Sequence, residues 1–166
     1  MSDWLDNKLA KEAARDEQER ERAKHQLHKA GTVRSKLPDF MTEFWKYTES
    51  LIKRYQKQNA GNPDREIQWE VGLPHGGFVV RRVKFPAITL RCEPDPEKGL
   101  IRIRRGLTRS HETDTTWKEA KLAVTVDDND NLRISDETSK VFADNEALAE
   151  YLLTPVFFFF PEQSTQ

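Results

Sequence analysis

The chain has 166 residues, a formal net charge of −1 and a hydrophobic share of 36%, which is enough to bury the core of one domain without disulfides or metals. No run approaches the roughly 18–20 apolar residues of a membrane-spanning helix, and the start MSDWLDNK lacks the basic and apolar segments of a secretory signal. The one cysteine, Cys92, excludes an intramolecular disulfide. We therefore expect a cytoplasmic protein.

Charge is distributed unevenly along the chain. Residues 60–112 carry ten basic and seven acidic side chains, whereas residues 113–166 carry four and eleven. A basic middle beside an acidic end indicates either a site for an anion or mutual neutralisation within the fold. We favour neutralisation, and the anion site is the alternative.

The first predicted element is a helix over residues 3–29, which contain no glycine or proline and many strong helix formers. Opposite charges recur three and four residues apart, as in Asp16 with Arg20, and such pairs stabilise a solvated helix. Apolar residues are too sparse for the sustained a and d positions of a two-stranded coiled coil. We therefore expect a charged segment, residues 1–35, whose helix projects or packs only by its ends.

A second helix is predicted over about residues 38–58. Gly31 is expected to end the first helix, and Pro38 to lie in the first turn of the second. Apolar residues follow a 3.6-residue spacing in this segment. They are Leu37, Phe40, Met41, Phe44, Trp45, Leu51, Ile52 and Tyr55. This helix is expected to face the core.

From Glu66 onward the pattern has a period of two, which is typical of β-strands. Six short segments of this kind are separated by turns such as LPHGG and PDPEKG, and short turns favour an antiparallel meander over βαβ units. A last helix is predicted over ADNEALAEYLL, with Asp144 as its N-cap. Thr154 and Pro155 are expected to stop or kink it.

Together these elements predict an α+β fold. It has long N-terminal helices, an antiparallel sheet of five or six strands in a meander, and a C-terminal helix packed on the sheet. In this prediction residues 36–160 form a single domain, and residues 161–166 form a disordered tail.

One face of the predicted sheet is rich in arginine, most densely in LIRIRRGLTR, residues 100–109. Alternation directs five residues outward, to a candidate site for nucleic acid or another anionic ligand. They are Arg91, Arg102, Arg104, Trp117 and Lys121. Cations that follow phosphates, beside a ring that stacks on a base, are a common way to bind single strands. The favoured alternative is a solvated face of mixed charge, whose acidic members would be Glu66, Glu70, Glu93 and Glu119.

The strand GFVVRRVKF fits two orientations. With Val79 inward, Arg81 lies on the core face; with Phe78 and Val80 inward, Arg82 and Lys84 follow them. A β-bulge would reconcile the two orientations. An inward arginine needs partners, because burying an unpaired charge is costly. The sequence leaves both orientations open.

Signs of catalysis or metal binding are weak. His25 and His28 share a helix face, but no further ligand at a recognisable spacing accompanies them. The paired glycines after His75 indicate a tight turn or a close approach of the backbone to a ligand. Cys92 alternates with apolar residues and is predicted to be a small buried hydrophobe. We therefore expect no metal, no cofactor and no catalytic residue.

The run VFFFF, residues 156–160, is the least ordinary feature of the chain. Its four rings cannot all face one side of a helix or strand, so another surface must bury the rest. The candidate contact residues are Phe157, Phe158, Phe159 and Phe160. Either the segment closes the end of the fold, or it contacts a second copy or another protein.

The function that we expect is that of a non-enzymatic interaction or adaptor protein. Its contacts with a protein partner, or with further copies in a homo-oligomer, would use the charged N-terminal helix and the phenylalanine-rich C-terminus. The alternative is a module that binds nucleic acid or an anionic ligand on the arginine-rich sheet face. A catalytic role is the least favoured, and a membrane partner is not expected.

Overall fold

A computed structural model describes residues 3–111 and 114–159 of the chain. Its main elements are α1 (Asp3–Gln58), β1 (Ile67–Leu73), β2 (Gly77–Arg82), β3 (Ala87–Asp95), β4 (Leu100–Thr108), β5 (Thr116–Val126), β6 (Leu132–Ser135) and α2 (Asn145–Phe157). The six strands form one sheet in the order β1-β2-β3-β4-β5-β6, and each neighbouring pair is antiparallel. The predicted α+β meander with helices at both ends is confirmed. The predicted tail, residues 161–166, lies outside the described residues.

One helix stands where the sequence predicted two. α1 runs without a break through Gly31 and Pro38, so the predicted end at Gly31 and the predicted first turn at Pro38 are wrong. In a helix interior, glycine costs about 1 kcal/mol and proline about 3 kcal/mol relative to alanine. A stripe of buried residues that starts at Val33 crosses Pro38 and packs on the sheet. The packing of this stripe outweighs the local helix-breaking signals.

The core lies between one face of the sheet, which we call the core face, and the two helices. α1 contributes Val33, Leu37, Met41, Phe44, Ile52 and Tyr55, and α2 contributes Leu148, Ala149, Leu152, Leu153, Val156 and Phe157. On β3 the predicted alternation is confirmed, because Ile88, Leu90 and Cys92 are all buried. The opposite face of the sheet, the outer face, is left to solvent by both helices.

β2 takes the second of its two orientations. Phe78 and Val80 are fully buried, and Arg81 is exposed. Arg82, in step with Phe78 and Val80, lies on the core face and is half-buried. A charged side chain therefore points toward the helices, and its partner is found there.

The turn between β1 and β2 presses against α1. Gly76 has a φ of +85°, and a Cβ at this position would lie 2.9 Å from the Cβ of Met41 and 3.2 Å from the carbonyl oxygen of Pro38. Only glycine tolerates both this backbone conformation and this contact. The paired glycines thus serve a tight turn against the helix.

The N-terminus of α2 is as predicted, but its C-terminus is not. The Asp144 carboxylate accepts a hydrogen bond of 2.8 Å from the Ala147 N–H, which makes Asp144 the N-cap. The helix passes through Thr154 and Pro155 and ends at Phe157. Of the two predicted effects, the stop is therefore wrong, and Pro155 lies inside the last turn; the kink stays a prediction.

Candidate functional site

The five predicted anion-binding residues share the outer face of the sheet. Strand register places them in rows that run across β3, β4 and β5. The rows are Thr89–Gly106–Trp117, Arg91–Arg104–Glu119 and Glu93–Arg102–Lys121. Arginines and glutamates thus share one surface, although Arg91 lies opposite Arg104 and Arg102 opposite Lys121.

Two of the four cations already have an acidic partner within the sheet. Arg91 Nε donates to Glu93 Oε1 at 2.9 Å, and Arg102 Nε lies 3.0 Å from Glu119 Oε1. Partly exposed pairs of this kind contribute at most about 1 kcal/mol each. They nevertheless reduce the positive potential that a phosphate would meet on this face.

Trp117 is an aromatic residue of the outer face, and its ring packs against β4. A Cβ at Gly106 would come within 2.9 Å of the indole ring, so the ring sits directly over this glycine. The guanidinium of Arg104 lies 4.8 Å from the ring centroid. A groove of about 470 Å³ runs from Trp117 past Arg91 to Arg81. Neither Arg81 nor Lys121 forms an ion pair with any described residue.

Two arginines on the core face donate to carbonyls in the middle of α2 and just beyond its C-terminus. Arg82 Nη1 donates to the Phe159 carbonyl at 3.2 Å, and Arg105 Nη2 donates to the Tyr151 carbonyl at 2.8 Å. Proline has no N–H, so Pro155 cannot donate to the carbonyl four residues earlier, which is that of Tyr151. The two positive charges also lie at the negative end of the helix dipole.

Sequence reasoning missed Arg105, and one signal would have found it. A proline inside a helical pattern leaves one carbonyl without a donor, and an inward arginine on a facing strand is suited to supply it. Burial lowers the pKa of the Arg105 guanidinium, and its interactions with Tyr151 oppose that shift. A cavity of about 530 Å³ adjoins this arginine, with Lys118 and Phe158 in its wall. Arg105 therefore fixes the end of α2 beside that cavity.

The phenylalanine run divides between core and surface. Phe157 is buried and stacks on Tyr55 at 4.3 Å between ring centroids, and the Tyr55 hydroxyl donates to the Phe157 carbonyl at 3.0 Å. Phe158 is 53% exposed, and Phe159 is half-buried. Phe160 lies outside the described residues. Of the three described rings, Phe158 is the one that the fold presents to solvent.

The first half of α1 projects from the rest of the fold. Every residue from 3 to 28 is exposed, and at 1.5 Å per residue this segment is about 39 Å long. We call residues 3–28 the projecting helix. Near its tip, Trp4 is 65% exposed, Leu5 40% and Leu9 52%, and near its base Leu27 is 73% exposed. These are large apolar side chains on a segment that is otherwise charged.

Polar contacts hold α1 where it meets the body of the fold, by which we mean the sheet, α2 and the packed half of α1. His28 Nε2 lies 3.2 Å from Asp130 Oδ1, Lys36 Nζ donates to the Asp130 carbonyl at 2.6 Å, and Arg34 Nε lies 3.1 Å from Glu97 Oε1. These contacts join α1 to the β5–β6 and β3–β4 turns. The projecting helix therefore leaves the body in a fixed direction.

The described residues contain few groups that are suited to chemistry. The Cys92 thiol is buried, and burial raises its pKa, with the charge of Glu93 adding to the effect, so the thiolate is disfavoured. Within residues 3–111 and 114–159 no cluster of three or more histidine, cysteine or acidic side chains is arranged to hold a metal ion. In the same residues no helix combines the length and the apolar run that crossing a bilayer requires.

Comparison of the chain with models of protein families, with curated proteins and with solved structures found no significant match in any of the three.

Proposed function

We propose that this is a non-enzymatic interaction protein whose projecting helix is the contact element. The observation that carries the proposal is the full exposure of residues 3–28 together with the apolar tip formed by Trp4, Leu5 and Leu9. Exposed tryptophan and leucine on a rigid helix are suited to insert into a groove of another protein. Tryptophan is also among the residues that most often dominate the energy of such contacts.

The fold explains how the helix remains formed without a partner. An isolated helix must form a costly first turn before it can propagate. Here the packed segment from Val33 to Tyr55 supplies the formed turns, so the projecting helix only has to extend them. Charge pairs three and four residues apart, such as Arg20 with Glu17 at 3.8 Å, add slightly to its stability. The tip is therefore presented at a distance from the body before any partner arrives.

The test uses the full chain as bait in extract of the cells that make it, beside a tip variant with Trp4→Ala and Leu9→Ala. Val141→Ala is the matched control, because Val141 is an apolar residue of the body that is 46% exposed. We expect an identified protein to bind the chain and the control directly and saturably, and to bind the tip variant at least tenfold more weakly. Equal binding by all three proteins would contradict the proposal.

A second candidate function is binding of a single-stranded nucleic acid or another anion on the outer face. It is supported by the groove that joins Trp117 to Arg91 and Arg81. Fluorescence anisotropy with labelled single strands over a salt series tests it. A steep fall of log affinity with log salt, reduced in Arg81→Ala, would support it. Absence of binding at low salt would leave the outer face as a solvated surface of mixed charge.

A further inference from the structure

The projecting helix carries a stripe of residues that the rest of the fold leaves exposed. At 100° per residue, six exposed positions spaced four and three apart fall within an arc of about 80°. They are Leu9, Ala13, Asp16, Arg20, Ala23 and Leu27. In either direction along the helix the order is leucine, alanine, charge, charge, alanine, leucine. The two charges have opposite signs, so the stripe complements an inverted copy of itself.

From this symmetry we infer that the projecting helices of two copies pair in antiparallel orientation about a twofold axis at the level of Gln18. Leu9 of one copy then lies beside Leu27 of the other, and Ala13 beside Ala23. Asp16 lies beside Arg20, once on each side of the axis. We call the contact between the two stripes the seam, and each pair of residues at one level a layer. Every layer joins two apolar residues or two opposite charges, which is the requirement for specific helix pairing. The proposal rests on the proposed function and names its partner as a second copy of this chain.

The charge of the whole helix favours the same orientation. Residues 3–19 carry six acidic and three basic side chains, and residues 20–29 carry four basic and one acidic. Antiparallel pairing sets the acidic outer half of one copy against the basic inner half of the other, whereas parallel pairing would set like halves together. Within the described residues Asp16 has no ion pair, and Arg20 has only the exposed contact with Glu17. Neither seam charge is therefore held by a buried partner, and both are exposed to a second copy.

The base of the helix offers an apolar surface at the right level. A groove of about 360 Å³ lies against the base, with Ala30, Val33 and Val124 in its wall. Antiparallel pairing about Gln18 brings the tip of one copy, with Leu5 inside the same arc as the stripe, to the level of this groove on the other. The exposed tip and the apolar groove cover one another in this arrangement.

The pairing is expected to be weak and dependent on concentration. The seam is short, and it alternates small and large residues rather than sustaining leucine at every a and d position. Glu17 and Glu19 of both copies also flank the axis, where like charges repel. We therefore expect dimerisation in the micromolar range or above, and Glu17→Gln with Glu19→Gln should strengthen it.

Orientation is tested by disulfide crosslinking. The native cysteine is buried, so Ala13→Cys in one chain and Ala23→Cys in a second, size-tagged chain report on the seam without loss of its leucines. We expect the mixture to form the tagged–untagged crosslink much faster than either variant crosslinks to itself. Self-crosslinking of each variant, which parallel pairing predicts, would overturn the inference, and so would the absence of any crosslink.

Charge reversal tests the central layers. Asp16→Arg or Arg20→Asp alone places like charges beside each other twice per dimer, and each should weaken dimerisation at least tenfold. The double variant restores opposite charges and should recover most of the affinity. Circular dichroism of the three variants checks that the helix remains formed. A double variant no tighter than the single ones would overturn the pairing register.

Sedimentation velocity of the full chain from about 1 to 500 μM measures the dimer itself. A monomer–dimer equilibrium that Leu9→Ala weakens about a hundredfold, because the dimer contains the substitution twice, supports the inference. A chain that stays monomeric overturns it. The proposed function is overturned separately, by equal binding of the chain and its tip variant in extract. A monomeric chain that still binds an identified protein through its tip would leave the function intact and refute only the second copy as partner.

Discussion

Arg105 and Pro155 act as one unit at the end of α2, and their coupling is measurable. Pro155 leaves the Tyr151 carbonyl without its helical donor. Arg105 donates to that carbonyl at 2.8 Å, and its guanidinium lies 4.9 Å from the Tyr151 ring. Arg105→Met keeps an unbranched apolar stem in place and removes the donor.

The magnitude follows from the contacts that are lost. A hydrogen bond from a charged donor contributes about 1.5–3 kcal/mol, and a cation–π contact about 0.5–1 kcal/mol. The cost of burying the guanidinium offsets part of this sum, as the lowered pKa of Arg105 shows. We therefore expect Arg105→Met to reduce the free energy of unfolding by about 2 kcal/mol. In a Pro155→Ala background residue 155 regains its N–H, and the same substitution should cost only about 1 kcal/mol.

Urea denaturation of the four proteins in this cycle gives the coupling energy. We expect about 1 kcal/mol. Arg82 provides a matched control, because it donates to the Phe159 carbonyl instead; Arg82→Met should be additive with Pro155→Ala to within about 0.5 kcal/mol. If Arg105→Met costs the same in both backgrounds, Arg105 does not serve the carbonyl that proline leaves free, and the account of this helix end is wrong.

Three further predictions concern stability, each checked by urea denaturation. Gly76→Ala combines a positive φ with a contact at 2.9 Å and should cost about 2–4 kcal/mol; Gly72→Ala has a positive φ but open space and should cost about 1 kcal/mol, so equal costs would contradict the packing account. Tyr55→Phe removes the buried donor to the Phe157 carbonyl and should cost about 1–2 kcal/mol; no change would mean that water replaces it. The pKa of Asp136 is lowered, first by a hydrogen bond from the Thr138 side chain. Its ionised form therefore stabilises the fold above the ordinary pKa of about 4, and this contribution is lost as pH falls below that value. Asp136→Asn should be less stable than the native chain at pH 7, and the gap should narrow below about pH 4; a gap that stays constant down to pH 2.5 would refute the assignment.

The strands were predictable because each signal for them is local. Alternation on β3 places Ile88, Leu90 and Cys92 in the core, and short turns between successive strands are enough to specify a meander. The helix boundaries were not predictable from such signals. Gly31 and Pro38 are residues that typically end or begin a helix. Here they lie inside a helix whose buried residues pack on a sheet formed by strands much later in the chain.

The orientation of β2 shows the same limit at a candidate site. Alternation alone permits either Arg81 or Arg82 on the core face, and both arginines are equally costly to bury without a partner. The Phe159 carbonyl, which lies 77 residues further along the chain, accepts a hydrogen bond from Arg82. This contact favours the orientation that places Arg82 on the core face. The alternation of residues within β2 therefore contains no information about this partner.

The two halves of α1 differ in which direction their apolar residues face, and this difference bears on function. In the body, the buried residues from Val33 to Tyr55 centre on one direction around the helix axis. In the projecting helix that direction is occupied by charged and polar residues such as Glu12, Glu19 and Gln26. The stripe from Leu9 to Leu27 lies about 70° further round, at 100° per residue. The two surfaces therefore overlap only at their edges, and the leucines and alanines of the stripe are left exposed by this chain's own sheet.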